Sequence, residues 1–377
     1  MKYHRGLYFT FVIITKLNLH VSKINRISFL RLEWFKRYIF CTFAPCKPKP
    51  TQMTKNIAII YGGYSSEKEV SEKSAAGIYS FIDNDKYNVF KVKIERDTWF
   101  VDYDSAMVLV NKNDFSFAFG DKKIKIDFAY NTIHGTPGED GTLQGYFDML
   151  QIPYSNCGVF ASALTFNKFA CNHFLKNFGI EVANSIVLRK NDTYNIDKIV
   201  SAPGLPVFVK PNVGGSSFAT TKVKETSHLE KAIQEAFNEA SEVIIEQFID
   251  GTEVTCGCFE TANGLTILPI TEVVSENEFF DYNAKYNGEV EEITPARISE
   301  KIAEIIRNKT EKIYRLIGAK GVIRVDYIIS DNVPILLEVN TTPGMTATSF
   351  IPQQVEAAGL NMTQILTDII EYEYSKK

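Results

Sequence analysis

Two apolar runs near the C-terminus, residues 322–329 and 334–340, constrain the fold most. Each has the alternation of a β-strand, and only a short polar turn around Asp331 and Asn332 separates them, so they must pair as an antiparallel hairpin. A strand projects residues i and i+2 to the same face. Arg324 and Asp326 therefore share one face, and so do Glu338 and Asn340. With a three-residue loop (331–333), residue 330 pairs with 334 and Asp326 falls opposite Glu338. Two carboxylates and an amide then converge beside an arginine, and all-oxygen donors of this kind suit Mg²⁺ held with nucleotide phosphates. A cross-strand Arg–Glu pair on a wet sheet face is the plainer alternative. An Asn in an apolar strand that runs into Thr341-Thr342-Pro343-Gly344 weighs against it.

The rest of the chain alternates strands and helices. Residues 56–61 form an apolar run ended by Gly62-Gly63, and a helix with Val70, Ala75, Ile78, Tyr79 and Ile82 on one face follows. Further strands at 87–94 and 128–133, with a helix after Gly141, indicate a doubly wound, parallel α/β unit over 53–155. Residues 157–178 have a helical pattern that stops at Gly179. An α+β segment comes next. Strands 206–210 and 220–223 bracket a glycine-serine loop, a helix runs through Leu229, Ile233 and Phe237, and a strand returns at 243–248. Helices at 302–317 and 362–374 complete the pattern.

Four more segments carry chemistry-bearing residues. Gly62–Ser71 lies between a strand and a helix N-terminus, where backbone N–H groups can meet a ligand. It is neither G-x-G-x-x-G nor a Walker A loop, and taken alone it reads as an ordinary turn. His134-Gly-Thr-Pro-Gly-Glu-Asp-Gly141 puts three glycines and two acids at the carboxyl edge of the sheet, as a ligand loop or a solvated turn would. Lys210 followed by Pro211-Asn-Val-Gly-Gly-Ser-Ser217 can grip phosphate and close as a lid, and the bland counterpart is a mobile hairpin tip. Phe279–Tyr286 is an aromatic polar segment, equally a lid or a loop packed on itself.

Charge is divided unevenly over the 377 residues. Residues 1–52 hold ten of the 41 Lys and Arg but one of the 45 Asp and Glu, a net of +9 against −13 for the remainder. The overall −4 leaves no global basic field for nucleic acid. The apolar stretch at 7–14 is far shorter than the roughly 20 residues of a membrane span, so no stable membrane insertion is expected. We read residues 1–52 as a basic extension, unstructured or preceding a true start at Met53. The six cysteines lack zinc-ribbon spacing and are expected as reduced thiols in a cytoplasmic protein.

In this order the segments resemble the ATP-grasp superfamily, and within it the D-alanine–D-alanine ligase family. The matching stretches are Gly62–Ser71, HGTPGEDGTLQ (134–144), KPNVGGSS (210–217), Glu246 to Glu253, DYNAKY (281–286), Arg324-Val-Asp326 and EVNTTPGMT (338–346), and the resemblance covers about 53–377. Phe218-Ala219 departs from the family's more common Val-Gly.

The resemblance implies three domains: 53–155 for substrate, 156–253 as the central ATP-grasp subdomain with its phosphate lid, and 254–377 with metal and catalytic residues. It implies ATP as co-substrate, two Mg²⁺ ions replaceable by Mn²⁺, two D-alanine substrates and a homodimer. By position it implies that Lys168, Lys210 and Lys285 contact phosphates, and that Glu246 and Glu253, with Gln247, Phe248 and Ile249, hold adenine and ribose. Asp326 and Glu338 would bind one metal ion, Glu338 and Asn340 the other. Glu67 would hold the first ammonium with His134 near its carboxylate, and Ser349 and Phe350 would receive the second carboxylate. Arg324 and the Gly344 N–H would stabilise an oxyanion, and Glu67–Ser216–Tyr286 would latch the lid, Tyr286 also favouring an amine nucleophile. Alternatives at this stage are another ATP-grasp ligase with a different acceptor and an ATP-binding relative without turnover.

Overall fold

The computed structural model describes residues 54–215, 219–275 and 290–376. Three sheets organise them. In the first, β1 (Asn56–Gly62) lies one strand in from an edge, with Ile57 to Ile60 wholly buried. A strand buried on both faces needs such a continuous apolar run, which is the habit of parallel sheets. It pairs in parallel with β2 (Asn88–Ile94) and β7 (Phe128–Asn131). Helix α1 (Lys68–Phe81) crosses between β1 and β2, burying Ser71, Ser74, Ala75 and Ile78. The parallel arrangement stops there. Beyond β2 the sheet continues as an antiparallel ribbon, β3 (Trp99–Tyr103), β4 (Ala106–Asn111), β5 (Ser116–Phe119) and β6 (Lys122–Lys125). The seven-stranded sheet is thus mixed, and sequence periodicity did not resolve the ribbon because its strands are only four to six residues long.

Helix α2 (Thr142–Met149) follows β7. The single helix expected over 157–178 is two, α3 (Val159–Phe166) and α4 (Lys168–Lys176). Asn167 causes the break: its backbone leaves the helical region (ψ 99°) and its side chain accepts the Ala170 N–H at 2.8 Å, capping α4. The second sheet is four-stranded and antiparallel, in the order β10-β9-β11-β8. It is built from β8 (Ser185–Arg189), β9 (Val207–Pro211), β10 (Thr221–Val223) and β11 (Glu242–Gln247). Helix α5 (Ile196–Ser201) follows β8, and α6 (Leu229–Glu239) buries Leu229, Ala232, Ile233 and Ala236 against the sheet. The hairpin β9–β10 encloses the glycine-serine loop, as its sequence predicts.

The third sheet runs β15 (Val290–Ile293), β14 (Thr271–Ser275), β12 (Thr252–Thr261), β16 (Val322–Ser330), β17 (Val333–Asn340), with β13 (Gly264–Ile267) also on β12. Helix α7 (Glu300–Leu316) packs on it through Ile306, Ile313 and Tyr314. Helices α8 (Phe350–Ala357) and α9 (Met362–Ser375) pack against α1 and β1. The β16–β17 hairpin turns differently from expectation. Asp331 and Asn332 alone form the turn, both at positive φ (49° and 63°), so Ser330 pairs with Val333. A bulge at Leu337 then restores the register, and Asp326 does lie opposite Glu338.

The three sheets are packed around close backbone contacts. A Cβ on Gly77 in α1 would lie 2.1 Å from the Met345 carbonyl oxygen, and no flexible side chain can yield there. Gly77→Ala is expected to lower stability by about 1–3 kcal/mol, as overpacking does, and thermal unfolding measures it. Among the described residues no helix is long and apolar enough to cross a membrane, and the four described cysteines are free and buried.

Candidate active site

Loops from all three sheets line a cavity of about 710 Å³. Its cationic wall comes from the middle of the chain. Strand alternation turns Lys210 of β9 inward, where its Nζ donates to Glu246 at 2.8 Å. Burial works against the Lys210 charge, but Glu246, Glu338 and Glu253 outweigh it and hold the ammonium above the usual lysine range. Lys168 opens α4; its Nζ donates to the Gly214 carbonyl at 2.5 Å and stands 3.6 Å from Glu338. Asn212, fully buried, anchors this corner: it accepts from Phe169 N at 2.9 Å and donates to Asn167 and Glu242.

The anionic wall is the β16–β17 hairpin. Arg324 grips Asp326 through two parallel bonds, Nε to Oδ1 at 2.9 Å and a terminal nitrogen to Oδ2 at 2.8 Å. Burial opposes the Arg324 charge, but Asp326, Glu338 and Glu253 outweigh it and hold the guanidinium above its usual range. Asn340 Nδ2 donates to Asp326 at 3.0 Å and to Glu338 at 3.5 Å. Thr255, across the strand on β12, donates its hydroxyl to Asp326 Oδ1 at 2.5 Å. The Arg324 guanidinium lies 5.2 Å from the Phe350 ring centroid.

The third wall belongs to the first sheet. Glu67 is the residue before α1 and is buried. Its N–H donates to Ser65 Oγ at 3.3 Å, and that hydroxyl donates to the His134 carbonyl at 2.8 Å, which ties two of the sequence segments together. A Cβ on Gly215 would stand 2.8 Å from the Glu67 carboxylate, so the glycine loop reaches Glu67 because it has no side chain there. His134 itself turns to Ser74, 3.0 Å away.

Ten residues named from the sequence lie on the cavity wall: Glu67, Lys168, Lys210, Phe248, Ile249, Glu253, Arg324, Asp326, Glu338 and Phe350. His134, Glu246, Gln247, Asn340, Gly344 and Ser349 are not among its lining residues. Glu246 faces Lys210 and Asn172, and Ser349 Oγ accepts from Thr346 N at 3.1 Å. A Cβ on Gly344 would meet that Ser349 oxygen at 2.9 Å. Ser216, Lys285 and Tyr286 lie outside the described residues. Among the described residues no three His, Cys, Asp or Glu side chains gather as a metal site, and the candidate set is two carboxylates and one amide.

Three residues of the site carried no assigned role in the sequence: Asn212, Thr255 and Glu139. Glu139 accepts the Gly135 N–H at 2.7 Å. Burial, then the neighbouring Glu67, pushes its carboxyl up to about 8, against the Gly135 N–H and Lys168. The folded state therefore keeps a proton that the unfolded chain releases in the usual carboxylate range. Stability falls as pH rises from that range to about 8 and is level above it. Glu139→Gln removes the decline, so the variant should gain on the native chain between pH 5 and 8, as unfolding midpoints across that range will show.

A glycine loop on an antiparallel hairpin, two inward lysines and a facing acidic hairpin are the parts of an ATP-grasp ligase. Comparison with known proteins narrows the class. Residues 56–157 match the family described as D-ala D-ala ligase N-terminus, and 174–371 that described as D-ala D-ala ligase C-terminus. The D-alanine–D-alanine ligase of Parabacteroides distasonis is 59% identical over 327 residues, 86% of this chain and 99% of that protein. That of Bacteroides fragilis strain NCTC 9343 is 56% identical over 324 residues, 85% and 100%. Among solved structures, D-alanyl-alanine synthetase A of Vibrio cholerae superposes with a TM-score of 0.77 at 29% identity, covering 85% of this chain and 99% of its own. The VanG D-Ala:D-Ser ligase of Enterococcus faecalis gives 0.75 at 31%, again over 85% and 99%. The chain belongs to the D-alanine–D-alanine ligase family.

Proposed function

We propose that the chain joins two D-alanine molecules at the expense of ATP, giving D-alanyl-D-alanine, ADP and phosphate for peptidoglycan precursors. The observation that carries this reading is the single cavity in which Lys168 and Lys210 face the Arg324–Asp326–Glu338 hairpin. A carboxylate is a poor electrophile because oxide is its leaving group. Transfer of the γ-phosphoryl group to the first D-alanine carboxylate makes an acyl phosphate, whose leaving group is phosphate. Lys168 and Lys210 supply charge to the transferring phosphoryl group, with Lys285 as a third cation. Glu67 holds the first substrate's ammonium. The neutral amine of the second D-alanine then attacks the acyl carbon, and Arg324 with the Gly344 N–H steadies the oxyanion. Glu253, Phe248 and Ile249 hold the nucleoside, Ser349 and Phe350 the second carboxylate, and Ser216 and Tyr286 complete the latch with Glu67.

Asp326 and Glu338 fit divalent cations. The two carboxylates lie opposite each other in the sheet with the Asn340 amide beside them, a set that offers oxygen donors, and Arg324 and Lys168 offset only part of its charge. Two Mg²⁺ ions, or Mn²⁺, would sit on Asp326, Glu338 and Asn340 and would offset negative charge on the phosphates. The proposal includes the unit boundaries 53–155, 156–253 and 254–377, a cytoplasmic location and a homodimer, all by family resemblance. The test is ADP release with Mg²⁺ and D-alanine alone, then with L-alanine, then with D-alanine plus D-lactate or D-serine. ADP from D-alanine alone supports the reading, and its absence sinks it. ADP only when D-serine or D-lactate is added would reassign the second substrate.

A further inference from the structure

Strand β12 has a gap in its hydrogen bonding. On one side β16 pairs with it without interruption from Thr252 to Phe259. On the other, β14 pairs with residues 253–255 and β13 with 258–261, and the chain turns from one to the other between them. At this corner Thr255 ends the pairing opposite Thr271, the Gly257 carbonyl accepts from Leu268 N at 2.9 Å, and the Gly257 N–H has no strand partner among the described residues. The Gln354 side chain of α8 takes its place. Its Oε1 accepts from Gly257 N at 3.0 Å, and its Nε2 donates to the Thr255 carbonyl at 3.1 Å and to Thr271 Oγ1 at 3.0 Å. The primary amide thus reproduces the donor and acceptor that one residue of a neighbouring strand would offer. The fit depends on Gly257, since a Cβ there would stand 2.5 Å from Gln354 Oε1. Gln354 is wholly buried.

Both ends of this brace lead to the site. Thr255 passes its hydroxyl to Asp326, which is held in the Arg324 fork. On α8, one turn before Gln354, Phe350 lies under the Arg324 guanidinium, next to Ser349. We propose that Gln354 is a positioning residue that sets the start of α8, and so the pocket for the second substrate's carboxylate, in register with the Arg324–Asp326 pair. The inference rests on the ligase reading. The brace reaches Asp326 only through the Thr255 hydroxyl, whereas its helix end carries Phe350 and adjoins Ser349 directly, so the larger effect falls on the acceptor.

The test uses the full chain with ATP, Mg²⁺ and D-alanine, comparing wild type with Gln354→Met and Thr271→Val. The D-alanine saturation curve gives two KM values, and ATP is varied separately. Gln354→Met should raise the second-site KM about tenfold, since small misplacements of a binding element act on the step it serves, with the ATP KM within about twofold. Thr271→Val removes one of the three Gln354 bonds, together with the Thr271–Thr294 hydroxyl contact, and should move the same constant in the same direction by a smaller factor. It stands in should Gln354→Met fail to fold. Unchanged constants, or ATP and D-alanine constants that rise in step, would overturn the positioning role and leave the ligase reading intact. No ADP from the wild type overturns that reading and this inference with it.

Discussion

Glu338→Gln is expected to abolish turnover while leaving the fold as stable as before. The substitution keeps the side chain's shape and one oxygen acceptor but removes the charge shared by both proposed ion sites. Divalent cations contribute several kcal/mol to charge stabilisation in phosphoryl transfer, so at 1.36 kcal/mol per decade the rate should fall by about 10³-fold or more. The folded chain loses little. Glu338 faces Asp326 directly across the hairpin, and like charges opposite each other destabilise a sheet. Its attraction to Lys168 spans 3.6 Å, a loose pair that offsets part of that repulsion. Steady-state ADP release and the unfolding midpoint of the same preparation check both halves. A variant that retains its Mg²⁺ dependence and rate would remove Glu338 from the metal set.

The residues behind that expectation were legible in the sequence for an instructive reason. Alternation fixes the face of Arg324, Asp326, Glu338 and Asn340 whatever the turn does, so the facing set was readable from a period of two. The register was reached by a longer route than expected: a turn one residue shorter than 331–333 and a bulge at Leu337 cancel. A bulge leaves no mark in composition, and only the need to keep both polar faces aligned selects it. Other parts were hidden because tertiary contact creates them. Thr255 is an ordinary strand residue until Asp326 lies across from it, and Gln354 is an ordinary helix residue until β12 presents a gap. Asn167 sits inside an apolar helical period, and its capping role appears only with the turn it makes toward Glu242. Glu139 lay within a segment that reads equally as a ligand loop or a solvated turn, and its raised carboxyl comes from burial beside Glu67, whose distance in the chain gives no hint of contact. The antiparallel ribbon from β3 to β6 shows the same limit for whole elements: short strands joined by tight turns at Asp104-Ser105 and Gly120 give too few residues for a period.

Arg324→Met should lower both rate and stability, the opposite pairing to Glu338→Gln. Among the described residues Arg324 is the one cation bonded to Asp326, through two charge-assisted hydrogen bonds, and both side chains are nearly buried. Removing it leaves Asp326 facing Glu338 with Thr255 and Asn340 as its remaining donors. Breaking a buried ion pair from one side costs about 3 kcal/mol or more, because the surviving charge keeps its desolvation without its partner. The Phe350 ring also loses the guanidinium above it, and with it one restraint on the start of α8. In the chemical step the loss of an oxyanion donor alone is worth about 10²–10³ in rate. The two effects separate by measurement: the midpoint of thermal unfolding reports the orphaned carboxylate, and kcat at saturating ATP and D-alanine, on the folded fraction, reports the oxyanion. Adding Glu338→Gln to Arg324→Met tests the electrostatic origin. With one of the two facing charges neutralised, the double variant should recover part of the stability that Arg324→Met loses and none of its rate. Recovery of neither would mean that packing around Phe350, and not the paired carboxylates, sets the cost of removing Arg324.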